Sequence, residues 1–76
     1  MLATALEHLV KGIVDHPDDV RINETTSPRG DVLEVHVAPD DRGRVIGRGG
    51  RTAKSLRTVV KALASDRRVR VDVADD

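Results

Sequence analysis

Residues 44–57 of the chain read RVIGRGGRTAKSLR, and this stretch decides how the rest of the sequence is interpreted. Three of the four positions from Gly47 to Gly50 are glycine, which permits positive φ and leaves no side chain over the backbone. A helical pattern follows, so backbone amides and the positive end of a helix dipole are predicted beside the loop. Arg48 and Arg51 add positive charge. The stretch therefore predicts a loop that a phosphate can approach closely.

Three phosphate-binding motifs contain glycines at similar spacing, and the chain matches one of them. A P-loop would need glycine in place of Val45 and lysine in place of Arg51. A dinucleotide-binding fingerprint would follow a strand and would need a small residue in place of Thr52. The remaining motif is Gly-x-x-Gly between two helices, which clamps the backbone of a single-stranded nucleic acid. The sequence Val-Ile-Gly-x-x-Gly, flanked by Arg44 and Arg51, favours this last motif.

The segments on either side of the loop predict six elements in the order α-β-β-α-α-β. Aliphatic residues at helical spacing open the chain, and Pro17 ends this first helix. Alternating apolar and polar residues predict three strands, and a turn at residues 27–31 separates the first two. The predicted strands cover residues 20–23, 32–38 and 69–73, and the two later helices cover residues 42–46 and 51–65. This order predicts an α+β domain in which three helices cover one face of a three-stranded sheet.

Local patterns also predict how the helices begin and which side chains they bury. Thr4 and Glu7 have the spacing of a capping box, and either Asp40 or Asp41 is placed to cap the helix that begins at Arg42. The residues predicted to face the core are Leu2, Leu6, Leu9, Val10, Ile13 and Val14 in the first helix, Leu33, Val35 and Val37 in the second strand, and Ala53, Leu56, Val59, Val60, Leu63 and Ala64 in the last helix.

The composition of the 76 residues excludes several classes of protein. There is no cysteine, so disulfides, thiolate metal sites and thiol redox chemistry are excluded. His8, His16 and His36 lack metal-ligand spacing and no serine lies in a nucleophile motif, so neither a metal, a cofactor nor catalysis is expected. No apolar run approaches the ~18 residues of a membrane span. Aromatic residues are absent as well, which excludes domains that stack bases on aromatic rings.

The net charge of zero conceals a strong separation of charge along the chain. Residues 1–41 carry 3 basic and 9 acidic side chains, whereas residues 42–70 carry 10 basic side chains and a single acidic one. Six basic and no acidic residues lie between Arg42 and Arg57. Such a block is either a solvated face or the contact surface for an anionic polymer. Arg67 and Arg68, in the turn before the last strand, are open to the same two interpretations.

The loop and its surroundings resemble the core signature of KH domains. A leading helix and strand, with nothing after the last strand, resemble the bacterial type II arrangement, and a single KH domain over residues 1–76 resembles the KhpA family. The resemblance covers essentially the whole chain and implies a cytoplasmic RNA-binding protein that acts as an RNA chaperone or post-transcriptional regulator. It further implies a homodimer or a KhpB-type partner, and a link to cell shape and cell-wall homeostasis.

The same resemblance implies how RNA is held. About four nucleotides of single-stranded RNA would lie in a groove, with the sugar-phosphate backbone on the glycine loop and the bases against aliphatic side chains. A DNA-reading helix-turn-helix is disfavoured, because the first of the two helices is too short and two strands precede it. An alternative function is a KH-shaped protein-interaction module whose RNA binding resides mainly in its partner. The residues predicted to bind RNA are Arg44, Val45, Ile46, Gly47, Arg48, Gly49, Gly50, Arg51, Lys54 and Arg57.

Overall fold

The computed structural model of the chain describes residues 2–74 and contains the six predicted elements in the predicted order. Short 3-10 turns at Pro17–Asp19, Pro39–Asp41 and Arg48–Gly50 lie between them. Proline at the first position of two of these turns supplies the fixed φ that such a turn requires. The helices are α1 (Leu2–Lys11), α2 (Arg42–Ile46) and α3 (Arg51–Ala64), and the strands are β1 (Arg21–Ser27), β2 (Gly30–His36) and β3 (Val69–Val73).

The three strands form one mixed sheet in the order β1-β2-β3. β1 and β2 form an antiparallel hairpin whose register runs from Arg21 opposite His36 to Ser27 opposite Gly30. β3 lies parallel to β2, and the α2–α3 segment makes the crossover that a parallel pair requires. β2 is therefore central, and β3 is an edge strand with one open side. The predicted α+β architecture with its three-stranded sheet and three helices is confirmed.

The hydrophobic core lies between the helices and one face of the sheet. Leu33 and Val35 of β2 are fully buried, whereas Glu34 between them is exposed, so the helices cover a single face. Burial of aliphatic side chains is the main force that holds this layer on the sheet. The buried apolar residues are Leu2, Leu6, Val10, Val20, Leu33, Val35, Val45, Ala53, Leu56, Val60, Ala64 and Val71.

The hairpin differs from its prediction at both ends. β1 extends to Ser27 instead of stopping near residue 23, because the polar residues Glu24, Thr25 and Thr26 still pair with β2. These residues are exposed, so no apolar alternation marked them in the sequence. β2 correspondingly begins at Gly30 and ends at His36, two residues earlier than predicted at each end.

The helices bury a narrower stripe than their sequences predicted. α1 begins at Leu2, so Thr4 lies inside the helix and forms no capping box, and Glu7 instead pairs with Lys11 at 3.0 Å. Each helix contacts the sheet with residues three or four positions apart. Aliphatic residues at the border of this stripe face outward. The predicted core residues that are instead exposed are Leu9, Ile13, Val59 and Leu63, at 37, 39, 42 and 56%.

Candidate nucleic-acid interface

The loop between α2 and α3 has a backbone that only glycine adopts readily. Gly47, Gly49 and Gly50 have φ values of 79°, 65° and 80°. The Gly47 N–H donates to the Gly43 carbonyl at 2.8 Å, and the Gly50 N–H donates to the Gly47 carbonyl at 3.1 Å, so the turn is held by its own backbone. A Cβ at Gly49 or Gly50 would meet no atom within 4 Å, so both positions face open space. The loop thus presents bare backbone at the surface.

Three cations surround this bare backbone. Arg48 lies in the loop, and Arg51 and Lys54 follow one turn apart on the first turns of α3. All three side chains are exposed, and within residues 2–74 none of them forms an ion pair. The N-terminal end of the 14-residue helix α3 adds its dipole at the same place. An anionic group at the loop would therefore meet uncompensated positive charge.

A buried carboxylate, that of Asp41, fixes the start of α2, the helix that leads into the loop. This carboxylate is fully buried and accepts the backbone N–H groups of Asp15 at 3.0 Å and His16 at 2.9 Å. Burial alone would raise the pKa of this carboxyl, but the two backbone donors and the charges of His16 and Arg44 outweigh it and lower the pKa. Asp41 thus ties the α1–β1 connection to the start of α2 and, contrary to prediction, makes no side-chain cap.

Arg44 also contacts the acidic residues around the start of α2. Its guanidinium pairs with Asp15 at 3.0 Å and lies 4.0 Å from the buried carboxylate of Asp41. The side chain remains 57% exposed, so the ion pair with Asp15 is weak and open to exchange. Arg44 is therefore engaged by acidic groups that the sequence alone did not connect to it.

A groove of about 540 Å³ runs beside the loop, between α3 and the C-terminal end of β3. Ile46, 39% exposed, and Ala53 contribute aliphatic surface on the helix side. Two carboxylates stand on the sheet side: Glu34, paired with His36 at 2.8 Å, and Asp72, paired with Arg70 at 3.0 Å. We call this the loop groove; its lining residues are Glu34, Ile46, Gly50, Ala53, Arg57, Asp72, Val73 and Ala74.

Arg57 spans the two walls of the loop groove. Its Nε–H donates to the backbone carbonyl of Val71 at 2.9 Å, on the side of β3 away from β2. This bond joins α3 to the edge strand and leaves the rest of the guanidinium at the surface. The side chain therefore holds the width of the groove and carries charge along it.

The structure gathers most of the predicted RNA-binding residues around one loop and its groove. The exception is Val45, which is fully buried, so its side chain is part of the core and cannot contact a ligand. Including Val45 in the RNA-binding set overlooked that an aliphatic residue inside a helix is more often buried. Glu34 and Asp72 were missed, because only the pairing of β2 with β3, with Glu34 opposite Asp72, brings them to the groove.

Comparison with known proteins identifies related sequences over nearly the whole chain. A family model described as the KH domain of KhpA/KhpB matches residues 3–74. The chain is 74% identical over 76 residues to the RNA-binding protein KhpA of Leifsonia xyli subsp. xyli, and the match covers 100% of both chains.

Two further relatives match the chain at lower identity. The RNA-binding protein KhpA of Streptomyces coelicolor is 64% identical over 75 residues, which cover 99% of this chain and 94% of the relative. That of Halalkalibacterium halodurans is 50% identical over 76 residues, which cover 97% of this chain and 100% of the relative. Among residues 2–74, no helix is long and apolar enough to cross a membrane.

Proposed function

The chain belongs to the KhpA/KhpB KH-domain family, and we propose that it binds single-stranded RNA in the loop groove. The observation that carries the proposal is the juxtaposition of bare glycine backbone, three cations that form no ion pair within residues 2–74, and an aliphatic groove of about 540 Å³. Relatives that match the full length of the chain are named RNA-binding proteins, which supports the same ligand class. Binding without catalysis is part of the proposal.

The phosphates of the strand lie on the loop side of the groove. Gly49 and Gly50 carry no side chain, so a phosphate reaches the backbone there without a steric barrier. Arg48, Arg51 and Lys54 neutralise the phosphates on either side of that point. Arg44 joins them by exchanging its exposed ion pair with Asp15 for a phosphate.

The bases lie across the groove toward β3. Ile46 and Ala53 form an aliphatic floor, which explains how the domain binds nucleotides without aromatic rings. Glu34 and Asp72 repel phosphate from the sheet side and accept hydrogen bonds from exocyclic amino groups of bases. This polarity fixes which side of the strand faces the loop. The groove also disfavours duplex RNA, because the base edges of a duplex are already paired and its two-stranded backbone does not fit a groove for one strand.

The experiment that tests the proposal compares single-stranded and duplex RNA by fluorescence anisotropy. We expect salt-sensitive binding of the single strand and at least tenfold weaker binding of the duplex. Arg48→Glu should weaken single-strand binding by at least tenfold, whereas Arg21→Glu, which changes the same charge on β1, should leave it within about twofold. Equal effects of the two substitutions, or no binding by the wild type, would contradict the proposal.

The finer functional assignments rest on the family. A role as RNA chaperone or post-transcriptional regulator, a KhpB-type partner, a homodimer and a link to cell-wall homeostasis are carried over as part of this proposal. One short groove is expected to bind RNA weakly. This supports the partner and the homodimer, because a second RNA-binding domain would raise the affinity through avidity.

One observation favours the alternative of a protein-interaction module. Four aliphatic side chains on α1, directly after it and on α3 are exposed although their spacing predicted burial: Leu9, Ile13, Val59 and Leu63. Exposed aliphatic residues on neighbouring helices are typical of a surface that a protein partner covers. The two functions are separable, since this surface and the loop use different residues. A loop variant that stays folded and still binds its partner distinguishes them.

A further inference from the structure

We propose that the RNA path extends along β3 to a second phosphate-binding site, the basic depression, at the opposite end of that strand. The inference rests on the proposed function and enlarges its footprint beyond the groove. The basic depression has a volume of about 320 Å³ and lies where the β1–β2 turn, the end of α3 and the start of β3 meet. Its lining residues are Ser27, Arg29, Gly30, Asp31, Val32, Lys61, Arg67, Arg68, Val69 and Arg70.

Positive charge dominates the basic depression. Five of its ten lining residues are Lys or Arg and one is acidic. The acidic residue, Asp31, is 10% exposed and is already paired with the guanidinium of Arg67, which also lies 3.9 Å from Glu24. The carboxylate that would repel an anion is therefore neutralised within the protein.

Three cations of the basic depression remain available to a ligand. Arg29, Lys61 and Arg68 are exposed, and in the part of the chain that the structure describes they form no ion pair. They come from three separate elements, the β1–β2 turn, α3 and the α3–β3 turn. Cations that repel one another at the same place cost free energy unless an anion offsets the repulsion. Their convergence therefore indicates an anionic ligand.

Backbone packing, rather than side-chain conformation alone, fixes the shape of the depression. Gly30 has φ +134°, and a Cβ there would lie 2.8 Å from both the Cβ and the carbonyl oxygen of Arg68. The adjacent Asp31 N–H donates to that same carbonyl at 2.8 Å. Glycine thus lets the turn that carries Arg29 pack directly on the backbone of Arg68, which fixes the two arginines as neighbours.

The basic depression and the loop groove lie along the same edge strand. Asp72, Val73 and Ala74 line the groove, and Val69 and Arg70 line the depression. Their far ends, Val69 and Ala74, lie five positions apart along an extended chain, which corresponds to about 16 Å. Arg57, bound to the Val71 carbonyl, adds a charge between them. A strand that leaves the groove along β3 passes Asp72, which is paired with Arg70, and then meets the free cations of the depression. The occupied length then exceeds the about four nucleotides of a KH groove.

The test measures the binding of a single-stranded RNA tetramer and octamer by fluorescence anisotropy over a range of salt concentrations. Two cations of the depression are removed by combining Arg29→Ala with Arg68→Ala. Alanine at position 68 keeps the Cβ that lies against Gly30, so the packing of the turn is preserved. Lys11→Ala with Arg21→Ala is the matched control, because it removes two exposed cations away from β3. Gly49→Asp reports on the loop groove, and circular dichroism checks the fold of every variant.

We expect the Arg29/Arg68 variant to bind the tetramer like the wild type and the octamer on the order of tenfold more weakly. The slope of log K against log salt for the octamer should become shallower by about 1.4, because each single-strand phosphate contact contributes about 0.7. An octamer affinity and slope equal to those of the control would overturn the inference. Loop binding would still stand in that case, whereas tetramer binding that survives Gly49→Asp would overturn the proposed function itself.

Discussion

Gly47 and Gly49 show that glycines of one motif serve different purposes. Gly47 has φ 79° and ψ 169°, a region that is essentially restricted to glycine, and a Cβ there would lie 2.7 Å from the backbone nitrogen of Thr52. Gly49 has φ 65° and ψ 19°, in the left-handed helical region, with open space where a Cβ would be. Gly47 is therefore needed for the turn itself, and Gly49 for access to it.

This difference predicts the stability of two alanine variants. Gly49→Ala should lower the free energy of unfolding by about 1–2 kcal/mol, the cost of a left-handed residue. Gly47→Ala should lower it by at least twice as much, because backbone strain and a clash with Thr52 add. Thermal denaturation followed by circular dichroism measures both. Equal melting temperatures for the two variants would show that the turn does not depend on Gly47.

Asp41 predicts how stability depends on pH. Its pKa is lowered in the folded protein, because the N–H groups of Asp15 and His16 and nearby positive charges outweigh the opposing effect of burial. A group whose pKa is lower in the folded than in the unfolded state binds fewer protons when folded. Its stabilising contribution is thus present above the ordinary carboxyl pKa of 3.8 and is lost as pH falls below that value.

The corresponding variants are Asp41→Asn and Asp40→Asn. Asp41→Asn should lower the melting temperature at pH 7, since a neutral amide oxygen is a weaker acceptor for two backbone donors, and should flatten the decline of stability in acid. Asp40 is an exposed neighbour, so Asp40→Asn should leave both unchanged. The measurement is the melting temperature from pH 7 to pH 3. Identical pH profiles for the two variants would show that Asp41 is not the group responsible.

The order of the helices and strands followed from the sequence, but the exact ends of the strands and the buried faces of the helices did not. Alternating Val and Leu residues marked β2 and β3, and the glycine loop separated α2 from α3. The polar half of β1 could not be recognised, because its pairing depends on the hairpin and not on burial. The loop groove was predicted on its helix side only, since its acidic side depends on the parallel pairing of β2 with β3.

The outward face of α3 predicts a separable interaction surface. Leu63 is 56% exposed, so Leu63→Glu should change the free energy of unfolding of the monomer by no more than about 0.5 kcal/mol. If this face mediates self-association, the same substitution should shift the protein to monomer in sedimentation velocity. Ala62→Glu, exposed one residue earlier, is the matched control. A dimer that persists in Leu63→Glu would place the interface elsewhere.

At the scale of the whole molecule, folding converts the separation of charge along the sequence into a surface. Eight of the 10 basic residues between positions 42 and 70 lie in the loop, on the first turns of α3, or in the lining of the groove and the depression. The acidic first half supplies partners such as Asp15, Asp31 and Asp41, which hold particular arginines in place. A protein with no net charge can therefore present one strongly positive edge.

This arrangement predicts the salt dependence of RNA binding. Three or four phosphate contacts in the loop groove give a slope of log K against log salt of about −2 to −3 for a short single strand. A titration of the tetramer at several salt concentrations measures it. A slope near zero would indicate that phosphate contacts do not dominate, and would contradict the role given to Arg48, Arg51 and Lys54.

Binding of RNA at the bare backbone of the loop is the claim that a comparison of Gly49→Asp with Gly49→Asn tests. Both side chains tolerate the left-handed conformation of Gly49 and point into open space, so the two variants differ in charge and little else. Fluorescence anisotropy with a labelled single-stranded RNA measures their affinities, and matching melting temperatures verify the fold. The claim predicts that the Asn variant stays within a few-fold of the wild type and that the Asp variant binds at least tenfold more weakly. Equal affinities for the two variants would contradict it.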